Sequence, residues 1–149
     1  MKTYQDKFFT GERPLFGEQD AKIINTTFGE GESPLKESGN IQIDQTIFKW
    51  KYPLWYSKHV LMQNSIFESI AHAGVWYTDD IEFDDCQIQA SKTFRRSSNI
   101  RLKNVHFSDA GETLWSCNGI SLDHVQANGK YFGMNSQNIK ASHLNIIGN

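Results

Sequence analysis

The chain has 149 residues, of which 38% are hydrophobic, 13% aromatic and 21% charged, with 15 Lys and Arg against 17 Asp and Glu for a formal net charge of −2. A single domain of ordinary size is expected at roughly 100–200 residues each, and so many aromatics exclude a disordered chain. Three Pro and two Cys exclude a collagen-like chain and a disulfide scaffold, and the near-neutral charge argues against a nucleic-acid binder.

The first segment, MKTYQDKFFTGERPLF, lacks the apolar core and small-residue cleavage site of a signal peptide. No stretch approaches the ~18 apolar residues of a membrane span. The expectation is a cytoplasmic protein with no membrane partner. Residues 1–13, with Phe8 and Phe9, are expected to cap the N-terminal end of the domain.

From residue 14 the chain repeats. The pattern N-I-x-I-x-x-(S/T)-x-F recurs as DAKIINTTF (20–28), NIQIDQTIF (40–48), HVLMQNSIF (59–67), DIEFDDCQI (80–88), NIRLKNVHF (99–107), GISLDHVQA (119–127) and NIKASHLNI (138–146). Ahead of each instance lies a second segment with its own apolar residue, Leu15, Leu35, Leu54, Val75, Phe94 and Leu114, expected as a further short strand. Leucine-rich, pentapeptide and hexapeptide repeats fit less well. The first needs an L-x-x-L-x-L register, the second an apolar centre every five residues, and the third multiples of six.

The columns of the repeat carry its physics. Ala21, Ile41, Val60, Ile81, Ile100, Ile120 and Ile139 alternate with outward polar residues before Ile23, Ile43, Met62, Phe83, Leu102, Leu122 and Ala141. Period-two alternation of this kind puts both columns on the inner face of a strand. A small column (Thr26, Thr46, Ser65, Cys86, Val105) and an aromatic one (Phe28, Phe48, Phe67, Phe107) come after them. Asp20, Asn40, Asp80, Asn99 and Asn138 stand at the corner ahead of each strand, where left-handed backbone angles are tolerated. One such unit cannot bury its apolar face; stacked units can. The fold expected is an all-β, single-stranded parallel β-solenoid of about seven coils, 19–21 residues each, over 14–149.

The pattern resembles the right-handed parallel β-helix of the pectin-lyase-like superfamily. The phrases PLWYSKHVLMQNSIF, SSNIRLKNVHF and ETLWSCNGISL are similar to a family of bacterial proteins there that is known as a domain of unknown function. The resemblance implies the hand of the helix and carries no established activity. Members of that family are usually longer, so the last coil, ending at NIIGN, is expected to leave an uncapped edge through which a second copy could associate.

Several groups of residues are candidates for function. Trp55, Trp76, Arg95 and Trp115 stand just after the inward residue of the second strand, and Tyr56, Tyr77 and Arg96 come next. An outward stripe of this composition suits sugar rings, which offer C–H faces to aromatics and hydroxyls to Arg. The competing reading packs the Trp residues beneath loop 68–74. The acidic coil with Asp79, Asp80, Glu82, Asp84 and Asp85 could hold calcium, as related lyases do. Arg101 and Lys103 on the next coil instead favour lateral ion pairs. His124 and His143 share a column with Asn25, Asn64 and Asn104, expected as a polar ladder. A metal site pairing them with Asp85 would be strained, so no metal and no cofactor are expected. Cys86 and Cys117 fill small-residue slots two coils apart and are expected as free, buried thiols. The function expected is a non-catalytic binding or scaffold module, with carbohydrate as the partner of the aromatic and basic face. The alternative is a polysaccharide lyase or glycoside hydrolase.

Overall fold

The computed structural model describes residues 1–148. They form an all-β solenoid in which every strand pair is parallel. The principal strand of each rung spans Lys2–Gln5, Gln19–Ile24, Gly39–Asp44, Lys58–Gln63, Asp79–Ile88, Ser98–Phe107, Asn118–Asn128 and Gln137–Ile147. In the first four rungs a two-residue strand continues the same side after a corner (Phe8–Phe9, Thr27–Phe28, Ile47–Phe48, Ile66–Phe67). From the fifth rung the two merge into one long strand.

The stack has eight rungs where the repeat predicts seven, because residues expected as a cap form a rung themselves. Lys2 pairs with Ala21, Tyr4 with Ile23 and Phe9 with Phe28. The second strand of each unit is also shorter than expected. It is present as Leu54–Trp55, Val75–Trp76 and Phe94–Arg95, which form a separate three-stranded sheet. Trp115 joins it by an isolated bridge to Arg95. In the first, second and last units the corresponding segments are turns.

The columns are in register. Ile41, Val60, Ile81, Ile100 and Ile120 pair in succession, as do Ile43, Met62, Phe83, Leu102 and Leu122, and all are buried. Phe9, Phe28 and Phe48 stack at centroid separations of 5.3 and 4.9 Å, and Phe67 meets Phe48 edge-on at 5.1 Å. Each such ring removed from water contributes about 1.5–3 kcal/mol. In the last rung Ile139 and Ile146 are nearly half exposed, since among the described residues no strand lies over them.

A second buried column is polar, and its hydroxyls are satisfied by the rung before. Ser57 donates to the Leu35 carbonyl at 2.9 Å, Thr78 to Leu54 at 2.9 Å and Ser97 to Val75 at 3.3 Å, and the half-buried Ser136 continues the column, donating to Leu114 at 2.6 Å. Buried hydroxyls are tolerated on this condition. The corners use left-handed backbone, as the Asn and Asp column predicts. The rung beginning at Asp79 turns at Asp80, Asp85, Lys92 and Arg96, with φ between 47° and 59°. This fixes the outward direction of the residue at each corner, and Tyr56, Tyr77 and Arg96 occupy one corner on successive rungs.

Candidate functional site: an aromatic and guanidinium face

The narrow sheet places Trp55, Trp76, Arg95 and Trp115 one above another, because Leu54, Val75, Phe94 and Leu114 point inward beside them. All four outward residues are half-buried. Trp55 and Trp76 stack at 5.0 Å between centroids, 8° from parallel. The Arg95 guanidinium lies 4.6 Å from the Trp76 ring centre and 5.6 Å from that of Trp115. Its Nη2 is 3.8 Å from Glu112, and its Nε is buried without a hydrogen-bond partner.

The strand spacing of ~4.8 Å dictates this ladder: in-register flat groups meet face to face. The faces of Trp76 are therefore taken by Trp55 and Arg95, and it turns its edge outward. The indole N–H groups are taken as well. Trp55 donates to the Ala73 carbonyl at 2.6 Å and Trp76 to the Lys92 carbonyl at 2.7 Å. Trp55 also packs on Tyr52, which meets His72 of loop 68–74 edge-on. Burial, then the charges of Lys51 and Lys92, push the His72 imidazole below its ordinary pKa, so it is neutral at pH 7. The Trp column thus binds the loops to the solenoid.

The corner column next to it is freer. Tyr56 and Tyr77 stack at 4.7 Å, 9° from parallel, and Arg96 comes next, exposed. Tyr56 ends the aromatic run. Its ring is 52% exposed, and Lys36 Nζ lies 5.8 Å from its centre. A groove of about 570 Å³ opens beside it, lined by Gln19, Lys36, Asn40, Tyr56, Lys58 and His59 among others.

Four of the five acids of the acidic rung have lateral partners. Glu82 pairs with Arg101 at 3.0 Å, as expected. Asp79 accepts from Ser98 at 2.7 Å, Asp80 from Asn99, and Asp84 from Asn104 at 3.5 Å. Cys86 and Cys117 are free and buried, as expected. Burial pushes their thiols up, to about 12 and about 11 respectively.

On the last two rungs the His124 and His143 rings stack at 4.2 Å, 15° from parallel. Asp123 Oδ1 lies 2.8 Å from His124 Nδ1 and 3.4 Å from His143 Nδ1. One ligand-type atom from each of the three residues falls within 4.8 Å of the others.

The sequence matches, over residues 2–149, a family described as a protein of unknown function, DUF3737. The chain belongs to the DUF3737 family. No curated protein matches it. Among solved structures it is similar to QnrB1, a plasmid-mediated fluoroquinolone resistance protein. Identity there is 14%, coverage 94% of this chain and 92% of that one, and the TM-score 0.44. It is also similar to a candidate glycosyl hydrolase from Parabacteroides merdae, at 10% identity, 95% and 77% coverage and a TM-score of 0.33. Both likenesses are loose.

In this DUF3737 chain, the seven residues singled out from the sequence are brought together on one face as two adjacent columns. Two features were missed. The groove beside Tyr56 draws Lys36 from one unit and Lys58 and His59 from the next, which no single repeat reveals. Asp123 joins His124 and His143 where Asp85 was weighed instead, and the signal was an Asp-His pair followed one rung later by a second His. No helix of the described residues is long and apolar enough to cross a membrane.

Proposed function

We propose that this chain is a non-catalytic binding module, a β-helix of the pectin-lyase-like kind, that takes a carbohydrate against Tyr56. Kinship with that superfamily rests on the repeat pattern. The observation that carries the binding site is the half-exposed Tyr56, stacked on Tyr77 and with the flexible Lys36 amine 5.8 Å from its ring centre, Glu37 standing at the corner below. A sugar presents a C–H face to such a ring, and displacing a lysine side chain to admit it costs little. Lys36 and Lys58 would donate to its hydroxyls, and Asn40 and Gln19 both donate and accept. Tyr77 and Arg96 continue the same column along the axis, and the Trp55, Trp76, Arg95 and Trp115 ladder backs it with a rigid wall.

The test is a glycan array probed with the whole chain and with Tyr56→Ala and Lys36→Ala. Binding to a defined set of glycans by the parent chain, lost in Tyr56→Ala and weakened in Lys36→Ala, supports the proposal. A parent chain that binds no glycan, or a Tyr56→Ala profile identical to the parent's, refutes it.

A further inference from the structure

We propose that Asp123, His124 and His143 form a binding site for a divalent zinc-type ion, distinct from the carbohydrate face. Two imidazoles and a carboxylate suit Zn²⁺ and its first-row neighbours. They do not suit Ca²⁺ or Mg²⁺, which take oxygen donors almost alone.

The Asp–His spacings are close to what such an ion needs, and the two imidazoles, stacked at 4.2 Å and 15° from parallel, must turn toward each other for both Nδ1 lone pairs to meet it. With ligand distances of about 2.0–2.2 Å, the ligand atoms of a tetrahedral site stand about 3.3–3.6 Å apart. Here Asp123 Oδ1 is 3.4 Å from His143 Nδ1 and 2.8 Å from His124 Nδ1. The second distance must open by roughly half an ångström for the ion to enter. The Asp123 side chain can supply that by rotation, since it is 44% exposed.

The backbone is already in place. Asp123 pairs in register with Ser142, and Val125 with Leu144, so His124 and His143 are held one rung apart. Both stand at left-handed corners, with φ of 53° and 54°, and so leave the strand in the same direction. Both have Nδ1 within 3.4 Å of one carboxylate oxygen, His143 Nδ1 also meeting Ser142 Oγ at 2.9 Å, a contact the ion would displace, whereas the Asn residues of this column reach singly to a carboxylate of the previous rung, as Asn25 does to Asp6 and Asn64 to Asp44. A shallow groove of about 310 Å³ runs beside the pair, lined by Asn104, His106, His124, Gln126, His143 and Asn145 among others. It leaves room for water at the remaining coordination positions. Three protein ligands and an open position make a site that exchanges its ion, and the ion would tie the eighth rung to the seventh.

The experiment is titration of the whole, metal-free chain with Zn²⁺, followed by calorimetry and by the side-chain NMR signals of the histidines. Mg²⁺ serves as the control. Expected are one saturable Zn²⁺ per chain, no response to Mg²⁺, and an upward shift of the melting temperature with Zn²⁺ concentration. His124→Ala and His143→Ala should each abolish the saturable step. Asp123→Asn should weaken it about tenfold or more, since even residues that only support a ligand cost that much. Both histidines lie on the surface, and circular dichroism reports whether each variant is folded. The NMR arm needs no variant: the His124 and His143 signals must move with Zn²⁺, ahead of those of His59 and His72. Absence of a one-per-chain step, its survival in the folded His124→Ala and His143→Ala variants, or movement of the other histidines alone would overturn the proposal.

Discussion

Trp76 sits between Trp55 and Arg95, 5.0 Å from one ring centre and 4.6 Å from the guanidinium carbon of the other, and its N–H reaches the Lys92 carbonyl. One side chain thus joins two rungs and a loop. Its stacking contributes about 0.5–1.5 kcal/mol, the cation–π contact about 0.5–1 kcal/mol at a partly exposed site, and the hydrogen bond about 1 kcal/mol. Trp76→Ala should therefore destabilise the fold by about 2–3 kcal/mol, and Trp76→Phe, which keeps the stack, by about 1 kcal/mol. Urea unfolding reads both as a lower midpoint at unchanged slope. Equal stability of Trp76→Ala and the parent would mean that the ladder is ornamental to the fold.

Gly31 and Gly11 make the tightest approach between rungs among the glycines. A Cβ on Gly31 would fall 2.0 Å from the Gly11 carbonyl oxygen, and its φ of +145° is open to glycine almost alone. Gly17 has a φ of +71° and nothing within 4 Å of a built Cβ. Gly31→Ala must push the two backbones apart and should cost roughly 3 kcal/mol or more, whereas Gly17→Ala carries only left-handed strain of about 1–2 kcal/mol. Thermal melting of the two variants ranks them, and the reverse order would contradict the close stacking at Gly31.

The buried thiols give a pH signature. Unfolded cysteines ionise near 9, while burial holds Cys86 at about 12 and Cys117 at about 11. Above pH 9 the unfolded chain has released protons that the folded chain retains. Stability is therefore unaffected by these groups below pH 9 and falls as the pH rises from 9 toward 11 and 12. A Cys86→Ala, Cys117→Ala chain should show a shallower decline across that window. At pH 8 the native thiols should resist an aromatic disulfide reagent, and both should react in urea. Rapid modification of either in the folded chain would show that it is not buried.

What could be read from the sequence divides along physical lines. Inward columns such as Ile41, Val60 and Ile81 repeat because each must fill the same narrow interior, so periodicity alone places them, and the structure pairs them in register. The first rung escaped because Lys2 stands in a column of Ala, Ile and Val, and Tyr4 in one of mostly Ile, Met, Phe and Leu. Among the described residues only one rung packs against this one, and the apolar constraint that writes the repeat is relaxed there. Side-chain direction stayed open for the Trp column between an outward stripe and packing beneath loop 68–74, and the structure combines the two: the column faces outward and its indole N–H groups bond loop carbonyls. The use of its faces was not legible either, because the separation of stacked rings depends on the register between rungs. The Asp123 cluster was missed for a related reason: it draws on neighbouring columns, and a column-by-column reading separates His124 from the carboxylate beside it.

Thr78 is the best test of the buried hydroxyl column. It is fully buried, its one hydroxyl proton is shared between the carbonyls of Leu54 at 2.9 Å and Trp76 at 3.0 Å, and it accepts from the Ser57 backbone N–H at 3.2 Å. Thr78→Val keeps the shape but strands the Ser57 N–H and removes the hydroxyl donor of the Leu54 carbonyl, while the Trp76 carbonyl keeps the Tyr56 N–H. An unmet buried group costs about 1–3 kcal/mol, so a loss of about 2 kcal/mol is expected. Thr78→Ser keeps the hydroxyl and gives up one methyl group, at about 1 kcal/mol. The two substitutions therefore separate polarity from packing: if packing alone held this column, Thr78→Val would be harmless and Thr78→Ser the more damaging. Chemical denaturation of the pair decides the order, and hydrogen exchange at the Ser57 amide should accelerate in Thr78→Val more than in Thr78→Ser.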